Sequence, residues 1–98
     1  EVIPGMNPSR ISGTDCDGWK RVSRAVASTW KGCIVSPYLM VQCSDCRHYG
    51  EISDRVYRFS AMDLTKEERA SIHGNNEKIR LETVGKAVEF FIRLMRQC

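Results

Sequence analysis

The feature that most constrains this chain is the apolar face of its last predicted helix, in the run RLETVGKAVEFFIRLMRQC at residues 80–98. Apolar side chains recur there at helical spacing: they are Leu81, Val84, Val88, Phe91, Ile92 and Met95, with Ala87, Phe90 and Leu94 widening the stripe. Gly85 lies in the helix interior, where glycine costs about 1 kcal/mol relative to alanine, and we expect a close approach of another backbone to compensate. A face this wide must pack against a broad surface.

An earlier helix is predicted in the run TDCDGWKRVSRAVASTW. Thr14 and Asp17 have the spacing of a capping box, with Asp15 as the alternative cap, and the helix is expected to end near Gly32. The apolar positions on its predicted face are Trp19, Val22, Val26 and Trp30. Their spacing indicates that one side of this helix is buried.

A further helix is predicted in LTKEERASIHG, with Thr65 as cap and Glu68 at the third helical position. Gly74 is the residue best able to adopt the left-handed conformation that ends a helix. The pattern therefore places His73 on the last helical turn.

Two short strands are predicted, CIVSPYLMV at residues 33–41 and RVYRF at residues 55–59. Pro37 places the first of them at an edge or a bulge, because proline cannot donate to a ladder of hydrogen bonds. Strands between helices predict an α/β fold. Two short strands alone form only a marginal sheet, so the chain reads as a piece of a larger α/β domain.

Charge and cysteine content exclude several classes of protein. The 15 basic and 12 acidic residues are interspersed, which predicts a solvated surface and no nucleic-acid partner. No apolar run reaches the roughly 18 to 20 residues that cross a bilayer, and the N-terminus lacks the pattern of a signal peptide, so we expect a soluble chain with no membrane partner. Five cysteines cannot all pair within one chain, and free thiols predict a reducing compartment, the cytoplasm.

The segment CSDCRH offers a candidate metal site, because Cys43 and Cys46 have the C-x-x-C spacing of zinc sites and His48 follows them. A structural zinc site needs a fourth ligand, and no second pair of such residues is present. A redox pair at the start of a helix is a second possibility. Two small, partly buried cysteines in a turn are the favoured alternative.

His73 also has a plain structural interpretation. A histidine at the C-terminus of a helix is usually a surface residue whose cation complements the helix dipole. Motifs for a serine nucleophile, a phosphate-binding loop or an H-E-x-x-H zinc site are absent from the sequence. Pattern alone therefore indicates a small α/β piece without an assigned function.

Three motifs in order nevertheless resemble the C-terminal part of a family of dizinc metallopeptidases. They are a T/S-D-x-R segment at residues 44–47, the strand VYRF followed by a short acidic helix, and H-G-x-N-E at residues 73–77. The family includes glycine-X carboxypeptidases, aminoacylases and carnosine dipeptidases, and the chain is most similar to the glycine-X carboxypeptidase branch. Residues 1–13 resemble the segment that returns from an inserted lid domain, and residues 14–98 resemble the C-terminal part of the phosphorylase/hydrolase-like catalytic domain.

The resemblance implies that His73 is a terminal ligand of one of two zinc ions. The other ligands and the general base of this family lie in its N-terminal half, and none maps onto this sequence. We therefore expect the full-length protein to hydrolyse peptides or N-acyl amino acids, and to dimerise, if it does so, through the lid. The 98-residue chain alone is expected to be inactive and to hold no zinc. The alternative is a small noncatalytic module with one structural metal at Cys43, Cys46 and His48.

Other positions match the family less fully. Glycines often precede T/S-D in the family, where this chain has Gln42 and Cys43. Asp45 and Arg47 match the motif and could contact substrate or form a buried ion pair that holds the turn. The same resemblance implies that Asn76 and Glu77 shape the loop behind the zinc ligand. With them, the predicted site residues are His73, Asp45, Arg47, Asn76 and Glu77.

Overall fold

A computed structural model describes Gly5 and residues 7–98. Four helices follow in order: α1 (Asp17–Thr29), α2 (Cys46–Tyr49), α3 (Lys66–Ala70) and α4 (Leu81–Met95). The two long helices, α1 and α4, pack against each other. No strand is formed in the described residues. The predicted segment 1–13 lies partly outside those residues.

Helix α1 packs with the predicted face, although it begins differently. Its N-cap is Cys16, whose side chain makes no capping bond, so the predicted box of Thr14 and Asp17 is wrong. Asp17 is the first helical residue, which places it too early to reach back to the cap. Asp15 does not cap either, and its carboxylate lies 3.4 Å from the guanidinium of Arg55. The predicted apolar residues Trp19, Val22, Val26 and Trp30 are all buried or half-buried.

Basic side chains of α4 bind the C-terminal end of α1. Arg93 donates to the carbonyl of Ser28 at 2.8 Å and to the hydroxyl of Thr29 at 3.1 Å. Lys86 donates to the carbonyl of Thr29 at 3.4 Å. The last carbonyls of a helix have no partner within it and carry partial negative charge, so these contacts fix the end of α1 on α4.

The core between α1 and α4 uses only part of the apolar face of α4. Phe90 is buried, with its ring centroid 5.7 Å from that of Trp30 and 4.9 Å from that of Phe59, and Ala87 and Leu94 pack beside it. The main predicted stripe is instead largely exposed: Leu81, Val84, Val88, Phe91, Ile92 and Met95. Helix α4 therefore has two apolar sides, of which α1 covers one. We call these six residues the open face of α4.

Gly85 differs from expectation, because no heavy atom comes within 4 Å of the position where a Cβ would stand. The described residues therefore provide no close backbone approach that favours glycine. Gly85→Ala is expected to raise the free energy of unfolding of the 98-residue chain by about 1 kcal/mol, through the helix propensity of alanine. Urea denaturation measures this change.

Gly74→Ala is the matched control for Gly85→Ala. Its Cβ would lie 3.0 Å from the carbonyl oxygen of Ser71, so the same substitution should destabilise the chain. Equal responses at the two glycines would contradict this interpretation.

The two predicted strands are not formed in the described residues. Residues 33–41 and 55–59 are not helical, but neither forms a ladder. Val56 instead bonds through its N–H and carbonyl to the Ser12 hydroxyl, at 2.8 and 3.0 Å, and the Tyr57 hydroxyl donates to the carbonyl of Gly13 at 2.6 Å. A strand needs a neighbour that supplies backbone donors and acceptors. Residues 33–41 and 55–59 have the composition of strands, but the described residues contain no strand that could pair with them.

The accessible surface area is larger than expected for a folded protein of this mass, and many apolar side chains are exposed. The chain exposes 8340 Å², whereas a folded monomer of 11.2 kDa exposes roughly 5,700 Å² by the usual scaling with mass. Exposed side chains of residues 33–41 contribute to it, including Ile34, Tyr38, Leu39 and Val41. In the part of the chain that the structure describes, no helix has the length and apolar character needed to span a membrane.

Candidate functional site

The loop after α3 carries His73 in an unusual backbone conformation. Helix α3 ends at Ala70, with Ser71 as its C-cap, so His73 lies beyond the last helical turn on which it was predicted. His73 itself has a positive φ of 65°, and Gly74 does not take the left-handed role predicted for it. Glycine is favoured at position 74 because space is limited, since a Cβ there would lie 3.0 Å from the Ser71 carbonyl.

Hydrogen bonds hold this loop on both sides of His73. The backbone N–H of His73 donates to a carboxylate oxygen of Glu77 at 3.2 Å, and the N–H of Gly74 donates to the carbonyl of Ser71 at 2.8 Å. A non-glycine residue with positive φ costs of order 1 to 3 kcal/mol and persists where its surroundings fix it. The loop thus fixes the backbone of His73 while the residue remains exposed.

The carboxylate of Glu68 connects the start of α3 to the start of α4, the helices on either side of this loop. One oxygen accepts from the backbone N–H of Thr65 at 2.7 Å, which completes the predicted capping box. The other accepts from the backbone N–H and the Nε of Arg80, at 3.2 and 3.0 Å. The N–H of Thr65, and after it the guanidinium of Arg80, lower the pKa of the Glu68 carboxyl, against the opposing effect of desolvation. Glu68 is therefore held as an anion between α3 and α4.

The role of Arg80 was not predicted from the sequence. Arg80 is the N-cap of α4, a position that usually holds Ser, Thr, Asp or Asn. A cation there also faces the positive end of the helix dipole, which is unfavourable unless an anion lies beside it. An arginine at the start of a helix was therefore the feature of the sequence that could have indicated a nearby anion. The structure supplies two anions, Glu68 at 3.0 Å and Glu82 at 2.7 Å from the guanidinium, and Arg80 also donates to the carbonyl of Asp63 at 2.7 Å.

Asp45 and Arg47 form no ion pair with each other among the residues described, and both are exposed. The described residues therefore contain no buried ion pair between them, and the roles predicted for Asp45 and Arg47 stay predictions. Asp45 is the residue before α2, and its carbonyl accepts from the N–H of His48 at 3.0 Å. Asn76 is likewise exposed. Of the predicted residues, the structure thus joins only Glu77 to His73 by a hydrogen bond.

The C-x-x-C segment is arranged as a turn entering α2. Cys43 is exposed and Cys46, the first residue of α2, is half-buried. The Nε2 atom of His48 accepts from the Nε of Arg47 at 3.3 Å. Within Gly5 and residues 7–98, no group of three His, Cys, Asp or Glu side chains could hold a metal ion. His73 is therefore a single candidate donor and not part of a complete site.

Known proteins similar to this chain are hydrolases or are named for carboxypeptidases. An N-fatty-acyl-amino acid synthase/hydrolase of Xenopus tropicalis is 32% identical over 96 residues, which are 97% of this chain and 19% of that protein. A probable carboxypeptidase S-like protein of Dictyostelium discoideum is 29% identical over 97 residues, which are 97% of this chain and 20% of that protein. The chain thus spans about one fifth of the length of these relatives. No family model and no solved structure matches it.

Proposed function

The chain corresponds to the C-terminal part of a peptidase of the M20 family, and from this premise we propose that it supplies one zinc ligand, His73, to a hydrolase. The full-length protein would cleave amide bonds in peptides or N-acyl amino acids. Two observations support the substrate class: one set of relatives is named for N-fatty-acyl-amino acids and another for carboxypeptidases. The single observation that carries the proposal is the fixed, exposed position of His73 within the H-G-x-N-E motif.

The geometry of His73 fits a terminal metal ligand. Zinc sites use a neutral imidazole nitrogen on a rigid support, and the loop supplies that support through the Glu77 and Ser71 contacts. Among the hydrogen bonds of the described residues, none involves the His73 ring, so both ring nitrogens are free of competing partners within that part of the chain. The chemistry that zinc supplies when bound is Lewis acidity toward the scissile carbonyl and toward water. His73 would present an imidazole nitrogen to the ion from this loop.

The second part of the proposal concerns the fold. Residues 33–41 and 55–59 would become strands of an α/β sheet, paired with strands from the preceding part of the polypeptide. The same part would cover the open face of α4. This accounts for exposed apolar side chains on both elements, such as Val41 at 92% and Leu81 at 86% exposure, which an isolated domain would rarely leave in water.

Removal of metal tests the proposed chemistry. The full-length protein should hydrolyse an N-acyl amino acid or a dipeptide with a free carboxyl end, lose this activity on dialysis against a chelator, and regain it with zinc. Metal analysis should find about two zinc ions in the full-length protein and essentially none in the 98-residue chain.

One tightly bound ion in the 98-residue chain would instead favour the alternative module with a structural metal at Cys43, Cys46 and His48. Activity that survives complete removal of metal would contradict the zinc mechanism.

A further inference from the structure

We propose that Glu68 is a positioning residue for His73, acting through α3 and α4, the two helices that flank the loop that carries it. Residues 71–79, which follow α3 and precede Arg80, are called the His73 loop. The inference rests on the proposed role of His73 as a zinc ligand. Glu68 itself touches neither His73 nor any group expected to react.

The geometry assigns this role to one buried carboxylate. The Glu68 side chain is 7% exposed, whereas residues 72–79 of the loop that follows are exposed. Its two oxygens divide between the start of α3, at Thr65, and the start of α4, at Arg80. This one side chain therefore connects α3 to the start of α4, and the His73 loop lies between these two helices.

A second set of contacts extends this connection to both edges of the loop. The Ser71 hydroxyl donates to the backbone carbonyl of Glu68 at 2.7 Å, so the first loop residue is bound to the same turn. Arg80 donates from its guanidinium to the carbonyl of Asp63 at 2.7 Å. Loss of the Glu68 carboxylate would leave Arg80 held only by its guanidinium contacts to Asp63 and Glu82, so the Arg80 end of the loop would loosen while the Ser71 end stays in place. The loop would then sample positions in which His73 does not meet its metal.

The chemistry of the carboxylate explains why glutamine cannot replace it. The two oxygens of Glu68 accept from donors on opposite sides, the N–H of Thr65 and the N–H groups of Arg80. A glutamine side chain has one oxygen and one NH₂ group, so in either orientation it sets a donor against a donor. Glu68→Gln thus removes one end of the connection with almost no change of volume.

Zinc affinity of the full-length protein tests the inference independently of activity. We expect Glu68→Gln to weaken the binding of one of the two zinc ions about 10- to 100-fold in competition with a chelator, the usual range for groups that orient a ligand. Excess zinc should restore most of kcat, because the ligand itself is intact. Glu89→Gln is the matched control, since this carboxylate binds Lys86 and Arg93 on α4 and not the His73 loop. Its zinc affinity should be unchanged.

Two outcomes separate this inference from the proposed function. Loss of zinc in His73→Asn together with wild-type affinity in Glu68→Gln would overturn the role of Glu68 and leave His73 as a ligand. Full zinc binding in His73→Asn would overturn both. If Glu68→Gln does not fold, Arg80→Lys tests the same connection, because it retains the backbone N–H and loses the Nε contact together with the guanidinium contacts to Asp63 and Glu82. A zinc affinity of Arg80→Lys equal to that of wild type would then overturn the inference.

Discussion

Replacement of His73 by asparagine in the full-length protein is expected to remove one of two zinc ions and to abolish amide hydrolysis. Loss of a direct ligand should weaken binding of that ion by more than the roughly 10- to 100-fold typical of supporting residues. With one metal absent, the rate of hydrolysis should fall to a level that excess substrate does not restore. Metal analysis of the purified protein and chelator competition measure the binding, and kcat measures the consequence.

Asparagine is preferred to alanine here because of the backbone. His73 has a positive φ, and asparagine and histidine tolerate that region better than most residues. Alanine would add a backbone penalty, of order 1 kcal/mol, to the loss of the imidazole. A comparison of His73→Asn with His73→Ala therefore separates loss of the ligand from distortion of the loop: both should lose the zinc ion, and alanine alone should also lower the thermal midpoint of the metal-free protein.

The other histidine of the chain is the matched control. His48 is exposed on α2, and its Nε2 accepts from Arg47. His48→Asn should retain both zinc ions and wild-type kcat. If His48→Asn loses zinc while His73→Asn retains it, the metal belongs to the C-x-x-C segment and the assignment of His73 is wrong.

Local sequence signals predicted the parts of the fold that local contacts form. The capping box of Thr65 and Glu68 is confirmed because both partners lie within four residues. The buried face of α1 is confirmed for a similar reason, since helical spacing alone determines which side chains share a side. The box of Thr14 and Asp17 failed because α1 begins at Asp17, and the exact start of a helix depends on contacts outside it.

Features that depend on distant residues were not predictable in the same way. The two predicted strands have suitable composition, but pairing depends on neighbours that the described chain does not contain. The side of α4 that α1 covers could not be chosen from periodicity, because apolar residues occupy more than half of its circumference. At the candidate site, the motif pointed to His73 and Glu77, whereas the contact between Glu68 and Arg80 joins residues 12 apart. Only the unusual arginine cap signalled it.

A charged substitution on the open face of α4 is the second change with a large expected effect. It should destabilise the protein only when the preceding part of the polypeptide is present to cover that face. Val88 is 54% exposed in the 98-residue chain, so Val88→Asp should leave the helical signal of that chain nearly unchanged. In the full-length protein the same carboxylate would be buried without a partner, at a cost of several kcal/mol. Circular dichroism of the chain and urea denaturation of the full-length protein measure the two responses.

Phe90→Ala is the matched control for Val88→Asp, since Phe90 is buried against Trp30 and Phe59 in the 98-residue chain itself. Truncation of a buried phenylalanine costs about 3 to 5 kcal/mol, enough to separate α1 from α4 in the short chain and to destabilise the full-length protein as well. In the 98-residue chain, only Phe90→Ala should therefore disrupt folding. In the full-length protein, both substitutions should lower the free energy of unfolding. If Val88→Asp leaves the full-length protein as stable as wild type, the open face of α4 remains in water there, and the proposal that the preceding part of the polypeptide covers it is wrong.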